Sequence, residues 1–214
     1  IANPAAFHRH PRLAWGFYGH RLVLYRKTQP HIGFELLNQL AEKLALPYFI
    51  FTSNVDGQFQ KAGFSPKQIY ECHGSIHHLQ CLASCTAEIW SADDISPEID
   101  HLNCQWLDDL PHCKHCGGLA RPNILMFDDY EWIAQRQTQQ RNRLESFINQ
   151  YKQPLVIEIG AGTAIPTVRY FSERFAPSLI RINPRDYALP KTGGIALAMN
   201  AAHGIQIIYD ISTT

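Results

Sequence analysis

Residues 52–75, TSNVDGQFQKAGFSPKQIYECHGS, form the most specific pattern in the chain and are where we expect its chemistry. A continuous apolar run, residues 48–51, precedes it and indicates a short buried strand. Asn54 and Asp56 lie in the polar turn at the carboxyl end of that strand, and His73 follows in a His-Gly-Ser loop. Open α/β sheets bind ligands at the carboxyl ends of their strands. The stretch therefore predicts a ligand site that contains these three side chains.

The composition is that of an ordinary globular chain. Its 214 residues are 45% hydrophobic and 18% charged, which suffices for one large domain, or for one domain with a small insert. The 19 basic and 19 acidic residues balance formally, so charge gives no reason to expect nucleic acid or a membrane surface as a partner. No apolar run reaches the roughly 18–20 residues of a membrane span.

The cysteines and the first residue bear on where the protein works. Six cysteines could form three disulfides, but two pairs have metal-ligand spacing, which favours reduced thiols and a cytoplasmic protein. No basic and then apolar segment opens the chain, so no signal peptide is predicted. The first residue is Ile1 rather than Met, and we expect that the natural N-terminus lies upstream.

Apolar periodicity predicts helices that alternate with strands. Trp15, Tyr18 and Leu22 share one face of a helix within residues 1–30, for which Pro11 suits the first turn. Further helices are predicted at residues 31–45, 131–150 and 166–175. Strands are predicted at residues 48–51, 155–160, 178–183 and 204–209, and a strand or a strand-like edge is predicted at residues 124–127. This alternation predicts an α/β fold, a Rossmann-like doubly wound parallel sheet.

Four cysteines have the spacing of a zinc site. Cys81 and Cys85 form one pair, Cys113 and Cys116 form the other, and residues 86–112 separate the pairs. Four thiolates complete the tetrahedron that structural zinc prefers and leave no position for water, so the predicted zinc is structural rather than catalytic. The alternative is a set of unpaired thiols. Residues 76–120, poor in apolar runs, are predicted to be a small zinc-binding insert.

Two further features carry a functional and a structural interpretation each. Glycines at 160 and 162 with Thr163 follow a predicted strand, where backbone amides can approach a phosphate or ribose; a tight turn without a ligand is the alternative. His73 suits a general base, because imidazole titrates near neutrality. It is also one of eleven histidines, most of which are expected to be structural.

Several segments in this order resemble the sirtuin family of NAD-dependent protein deacylases. The resemblance covers nearly the whole chain. The matching segments are Phe17-Tyr18 with Arg21, residues 52–57, Lys61 to Phe64, Glu71 to Ser75, the two cysteine pairs, residues 118–123 with Phe127, Gly162-Thr163 and Ile182-Asn183. The resemblance implies an NAD-binding Rossmann-like domain from residues 1–75 and 121–214, in which residues 1–30 belong to a cofactor-loop helical module.

The resemblance also implies roles for individual residues. It implies that His73 is the catalytic base and that Asn54 and Asp56 serve NAD and the reaction geometry. It assigns cofactor contacts also to Ser53, Gly160, Gly162, Thr163 and Asn183. It implies that the substrate, an acyl-lysine protein or peptide, adds as a strand beside Ile124, Leu125, Met126 and Phe127. The implied cofactors are NAD and Zn²⁺, and the implied products are nicotinamide, free lysine and an acylated ADP-ribose.

The chain departs from the family pattern at four places. Ser53 stands where the family usually has Gln, Ala164 where it has Ser, and Asp128 where it has Gly. The family's opening strand with its Gly-rich phosphate loop is not found in these residues. ADP-ribosyl transfer, NAD hydrolysis or a non-catalytic NAD-sensing module therefore remain alternatives to deacylation.

Tyr18 and Arg21 permit a finer hypothesis. In some sirtuins a Tyr and an Arg with this spacing recognise acidic acyl groups such as succinyl, and the forked donors of arginine suit a carboxylate. The alternative is that Tyr18 packs in the core and that Arg21 is solvated or contacts phosphate.

Overall fold

A computed structural model describes residues 1–213 and shows a mixed α/β protein. The helices are α1 (Ala5–Arg9), α2 (Pro11–Lys27), α3 (Ile32–Lys43), α4 (Gln58–Lys61), α5 (Gln135–Gln150), α6 (Thr167–Glu173) and α7 (Ala201–Thr213). The strands are β1 (Ile50–Thr52), β2 (Ile69–Glu71), β3 (Gly74–Cys81), β4 (Trp90–Ser91), β5 (Ile99–Asp100), β6 (Gln105–Trp106), β7 (Ala120–Ile124), β8 (Val156–Ile159), β9 (Leu179–Ile182) and β10 (Ile195–Leu197). Among these helices none is both long and apolar enough to span a bilayer.

The chain divides into two compact units. Unit 1 contains Ile1–Gln29, Asn54–Gln58 and Glu71–Arg141. Unit 2 contains Pro30–Ser53, Phe59–Tyr70 and the residues from Asn142 onward. These bounds describe packing and differ from those of the two predicted domains, so the division into an NAD-binding domain and a zinc insert stays a prediction.

Helix α2 forms the centre of unit 1. Pro11 occupies its first turn, and Trp15, Tyr18 and Leu22 are buried, as the apolar periodicity predicted. The indole nitrogen of Trp15 donates to the carbonyl of Ala120 over 3.0 Å. Gly16 faces the β5–β6 hairpin so closely that a Cβ there would lie 2.0 Å from the carbonyl oxygen of Cys104. A side chain at this position would therefore separate the helix from the hairpin.

The principal sheet of unit 1 is antiparallel, in the order β4-β3-β7. The pairing of β3 with β7 passes directly from Ser75–Asn123 to Leu79–Pro122. Three residues of β3, Ile76 to His78, thus form a bulge opposite a proline that has no N–H for a ladder hydrogen bond. The bulge releases these three residues from β7 and makes them available to other partners.

Unit 2 contains a parallel sheet in the order β10-β9-β8, so the predicted α/β class with a parallel sheet is confirmed. Helices α3 and α7 supply Leu36 and Ile205, which pack with Ile182 of β9. Glu158 of β8 and Arg181 of β9 form a buried two-point ion pair at 2.6 and 2.9 Å. The paired charges join adjacent strands inside the unit, where an unpaired charge would be costly.

The predicted strand at residues 204–209 is wrong, because these residues belong to α7. The side-chain amide oxygen of Asn200 accepts from the backbone of His203, which is an N-cap contact that begins the helix. Gly204 lies against Ile182, where a Cβ would be 2.6 Å from a methyl carbon. A run rich in isoleucine resembles a strand, but its cap and the close packing of Gly204 select a helix. The strand of this region is β10, further upstream.

Smaller corrections concern where elements begin and end. Strand β7 ends at Ile124, so only the first residue of the strand or strand-like edge predicted at 124–127 belongs to a strand. Strand β1 covers Ile50–Thr52 and therefore begins later than residues 48–51. In the helix predicted at residues 31–45, Leu36 and Leu40 are buried, whereas Ile32 and Leu44, at its two ends, are exposed.

Candidate functional site

The loop that carries Asn54 and Asp56 is fixed to the β3 bulge through its backbone. The carbonyl of Val55 accepts from the backbone N–H of Ile76 over 3.0 Å. The carbonyl of Asp56 lies 2.9 Å from the ring nitrogen Nε2 of His77. The side chain of Asp56 accepts from the N–H of Gln58 over 3.1 Å and so begins α4. These contacts hold the loop while the side chain of Asn54 is exposed.

His73 is positioned by an unusually close approach of two backbones. Its carbonyl accepts from the N–H of Leu125 over 2.9 Å. The next residue, Gly74, has a φ of +80°, and a Cβ there would lie 2.1 Å from the carbonyl oxygen of Asn123. Glycine is the residue that tolerates both this conformation and this approach. The half-buried His73 therefore stands at the end of the β3–β7 ribbon, beside Leu125.

A buried polar cluster, which the sequence did not reveal, supports the segment that leads to His73. Glu71 is 1% exposed, and its N–H donates to the side-chain oxygen of Gln140 over 3.0 Å. The amide of Gln140 donates in turn to the Glu71 carboxylate over 3.0 Å, and Arg136 forms an ion pair with it. The only sequence signal is the spacing of Arg136 and Gln140, four residues apart on one helix face.

The thiol of Cys72, beside His73, is not available for chemistry. It is buried, and that burial raises its pKa to about 12. The thiol is therefore neutral at physiological pH, whereas a nucleophilic or metal-binding cysteine needs the thiolate. Cys72 is therefore a packing residue beside His73.

The segment predicted to line a peptide cleft follows β7 and alternates in burial. Ile124 and Met126 are buried, whereas Leu125 is 38% and Phe127 is 63% exposed. The N–H of Phe127 donates to the carbonyl of Ala2 over 3.0 Å. Asp128, which follows, has a φ of +54°, in the left-handed region where glycine is favoured. The segment thus leaves β7 and enters a turn at Phe127. Its two outward side chains are apolar, and Leu125 is bonded to the backbone of His73.

Tyr18 and Arg21 lie on α2 within unit 1. Tyr18 is 5% exposed and stacks on Phe7 at a centroid distance of 5.6 Å. Burial raises its pKa to about 12, partly offset by the positive charges of Arg121 and Arg21. The guanidinium of Arg21 lies 3.8 Å above the ring of Phe17. The hydroxyl of Tyr18 is thus protonated near two arginines, and its ring belongs to the core.

Three predicted cofactor residues of unit 2, Gly160, Gly162 and Asn183, lie just beyond the ends of β8 and β9. Gly160 has a φ of +67°, and a Cβ at either Gly160 or Gly162 would meet nothing within 4 Å. Asn183 is buried and donates to the carbonyl of Ala161 over 3.1 Å. Its side-chain oxygen accepts from the N–H groups of Arg185 and Asp186. Asn183 therefore joins the two loops, with open space beside the glycines.

The predicted site residues are distributed over both units. Asn54, Asp56 and His73 belong to unit 1, together with Tyr18, Arg21 and residues 124–127. Ser53 belongs to unit 2, with Gly160, Gly162, Thr163 and Asn183. Within its own unit each set is organised by backbone contacts, and the ligand contacts of all these residues remain predictions.

The four predicted zinc ligands converge. Their Sγ atoms all lie within 4.8 Å of one another, at 3.7 Å for Cys81–Cys116 and 3.6 Å for Cys85–Cys113. Four thiolates arranged tetrahedrally around zinc at about 2.3 Å would be separated by roughly 3.8 Å. The spacing and the all-sulfur donor set therefore fit a structural zinc ion.

Backbone N–H groups also donate hydrogen bonds to these sulfurs. The N–H groups of His115 and Gly118 point at the sulfurs of Cys113 and Cys116, both over 3.4 Å. Burial opposes ionisation of Cys113, but hydrogen bonds from the backbone of Cys116 and His115 and from neighbouring thiols lower its pKa to about 6. Cys113 thus favours the thiolate, which is the form that binds zinc, whereas hydrogen bonds with Cys116 and Cys81 raise the pKa of Cys85.

A family model described as the Sir2 family matches residues 1–153. The chain belongs to the Sir2 family. The resemblance to sirtuins predicted from the motifs is therefore confirmed, and the cysteine cluster is compatible with a zinc-binding module in this fold.

Relatives of this Sir2 family member differ in how much of the chain they cover. An NAD-dependent protein deacylase of Aquifex aeolicus (strain VF5) is 26% identical over 98% of this chain and 80% of its own length. Another protein of that name, from Pyrococcus furiosus, is 33% identical over 60% of this chain and 48% of its own length. The matched region thus spans between about half and four-fifths of these relatives.

Solved structures of Sir2 proteins share the fold of this family member. A mutant Sir2 homologue in complex with 2'-O-acetyl ADP ribose matches with a TM-score of 0.72 and 22% identity, over 99% of this chain and 78% of the other. A Sir2–p53 peptide–NAD⁺ complex matches with a TM-score of 0.71 and 20% identity, over 100% and 82%. At this identity the likeness shows the fold.

The cysteine cluster yields a prediction for metal content. The purified protein should contain about one zinc per chain, because four thiolates serve one ion. Cys113→Ser should lose most of the zinc and lower the thermal unfolding midpoint, since it removes one ligand. Cys104→Ser, outside the cluster, is the matched control and should keep the metal. Elemental analysis by plasma mass spectrometry and thermal unfolding measure both effects; full zinc content in Cys113→Ser would contradict the assignment.

Proposed function

We propose that this protein is an NAD-dependent protein lysine deacylase. Its Sir2 family membership and the names of its relatives support this reaction. The observation in the structure that supports it best is the arrangement of unit 1. The Asn54–Asp56 loop and the His73 loop are both held by backbone hydrogen bonds, at the β3 bulge and at the end of the β3–β7 ribbon.

The residues present fit NAD as the cofactor. The open space beside Gly160 and Gly162 allows phosphate or ribose to approach the backbone, because no side chain fills it. The exposed amide of Asn54 can hydrogen-bond with ribose hydroxyls or with the carboxamide of nicotinamide. When bound, NAD supplies an ADP-ribosyl group that the acyl oxygen of the substrate attacks as nicotinamide leaves.

His73 provides the proton transfer in this proposal. A half-buried imidazole can accept a proton from a ribose hydroxyl near neutral pH. The bond of its carbonyl to Leu125 and the close packing of Gly74 fix the backbone from which the ring projects, and a general base requires such a fixed attachment. Asp56 uses its carboxylate to cap α4, so its contribution is to shape the loop that presents Asn54.

The substrate is an acyl-lysine peptide that lies along the segment after β7. An extended peptide can add as a strand beside an extended backbone, with alternate side chains in pockets. The exposed Leu125 and Phe127 offer apolar contacts, and Leu125 is bonded to the backbone of His73. A long acyl-lysine side chain is therefore directed towards the proposed base.

We place the protein in the cytoplasm, because six reduced cysteines suit a reducing compartment.

ADP-ribosyl transfer, NAD hydrolysis and NAD sensing are less favoured. Ser53 and Ala164 motivated these alternatives, but the names of the relatives describe deacylases.

Substitution of the proposed base tests the function. His73→Ala should lower deacylation of an acyl-lysine peptide by about 10²- to 10⁴-fold, the usual contribution of a general base. The unfolding midpoint should stay near that of the wild type, because the backbone contacts of His73 do not use its ring. His203→Ala, an exposed histidine of α7, is the matched control and should keep its activity. Wild-type deacylation in His73→Ala would show that another group is the base.

We further propose that Tyr18 and Arg21 recognise an acidic acyl group. The hydroxyl of Tyr18 stays protonated because burial raises its pKa to about 12, so it can donate to a carboxylate. Arg21 supplies a positive charge next to it, although its guanidinium also stacks on Phe17. Succinyl-lysine or malonyl-lysine would then be preferred over acetyl-lysine.

Matched peptides test this preference. The wild type should have a higher kcat/KM for succinyl-lysine than for acetyl-lysine. Arg21→Met should reduce that ratio by about 10- to 100-fold, since charge-assisted hydrogen bonds contribute roughly 1.5–3 kcal/mol. Arg9→Met, an exposed arginine of α1, should leave the ratio unchanged. Equal or better turnover of the acetyl peptide by the wild type would refute acidic acyl recognition.

A further inference from the structure

His77 makes an unusual contact, because its side chain binds the backbone of a different loop. Its ring nitrogen Nε2 lies 2.9 Å from the carbonyl oxygen of Asp56. A carbonyl oxygen can only accept a hydrogen bond, so Nε2 must carry the proton and donate. The neutral Nε2–H tautomer and the imidazolium both satisfy this requirement. The contact is therefore a true hydrogen bond in either charge state of the ring.

The position of the ring is determined from two sides. Gly57 has a φ of +71°, and a Cβ there would lie 2.8 Å from ring carbon Cδ2 of His77 and 2.9 Å from Nε2. The ring thus packs directly on the backbone of Gly57. The N–H of His77 donates to the side-chain oxygen of Ser75 over 3.3 Å, and its carbonyl accepts from the N–H of Ala92 over 2.9 Å. Neither the ring nor the backbone of His77 can shift without losing these contacts.

The bulge in β3 explains why His77 is available to the loop. Ile76 to His78 are out of register with β7, opposite Pro122. Ile76 and His77 use this freedom to bind two consecutive carbonyls, those of Val55 and Asp56. Bulges next to functional sites commonly redirect side chains in this way. The bulge, through Ile76 and His77, thus attaches the Asn54–Asp56 loop to β3.

We propose that His77 is a positioning residue for the Asn54–Asp56 loop. It holds the carbonyl of Asp56 so that the loop keeps one orientation relative to His73, which immediately precedes the same strand. The inference rests on the proposed deacylase function for its catalytic consequence, but not for the attachment itself. Since displacement of a reacting group by about 1 Å can cost roughly 100-fold in rate, release of the loop should lower kcat.

Three substitutions separate the hydrogen bond from the packing. His77→Ala removes both, whereas His77→Phe keeps a ring on Gly57 and removes the donor. His77→Gln restores an N–H donor near the position of Nε2. His101→Phe, at an exposed histidine of unit 1, is the matched control. The protein is assayed for NAD-dependent deacylation, for binding of the acyl-lysine peptide, and for amide hydrogen exchange of residues 54–58.

The proposal predicts a specific pattern of results. In His77→Phe and His77→Ala, the amide hydrogens of residues 54–58 should exchange faster than in the wild type. The kcat of both variants should fall by about 10- to 100-fold, with unchanged affinity for the peptide. His77→Gln should recover wild-type exchange and most of kcat, and His101→Phe should match the wild type. Unchanged exchange and kcat in His77→Phe would overturn the proposal. An equal loss in His77→Gln and His77→Phe would also overturn it, because the donor would then be irrelevant.

Failure of the proposed function gives a different result. A wild type that consumes no NAD with any acyl-lysine peptide would refute the deacylase function. Hydrogen exchange in the His77 variants would then decide the attachment of the loop alone. Faster exchange in His77→Phe, reversed in His77→Gln, would support the attachment, and its absence would refute it.

Discussion

The close approach of Gly74 to the carbonyl of Asn123 is the constraint on which the candidate site depends. A Cβ at Gly74 would lie 2.1 Å from that oxygen, so no other residue fits without separating the strands. The approach places His73 at one end of the β3–β7 ribbon, where its carbonyl binds Leu125. The proposed base and the proposed peptide segment are therefore parts of one backbone structure, and neither can move without the other.

The two ends of this ribbon carry different groups of residues. At one end are His73 and Leu125, and at the other Cys81 ends β3 opposite Ala120, the first residue of β7. The remaining three cysteines of the cluster surround Cys81 and precede β7 in the chain. A bound zinc would thus tie together the strand ends that lie furthest from His73. A metal with no open coordination position would then contribute by holding the ribbon that carries the proposed base.

The sequence allowed prediction of features that are encoded locally. The cysteine spacing, the face of α2 formed by Trp15, Tyr18 and Leu22, and the strand at Val156–Ile159 are all visible in short windows. Prediction failed for α7, because its isoleucines suit a strand equally well and the choice depends on the packing of Gly204 against Ile182. It also could not find contacts between residues far apart in the chain, such as Glu71 with Gln140 or His77 with Asp56. These contacts follow from the bulge and from the placement of α5, which no local pattern specifies.

In the proposed reaction, NAD and an acyl-lysine peptide meet at this ribbon and react together. Mass spectrometry of the products, with NAD and one acyl-lysine peptide as substrates, is the decisive test of this reaction. The expected products are nicotinamide, unmodified lysine peptide and acylated ADP-ribose in equal amounts, because the acyl oxygen captures the ADP-ribosyl group. Free ADP-ribose without loss of the acyl group, or ADP-ribose attached to the peptide, would contradict it.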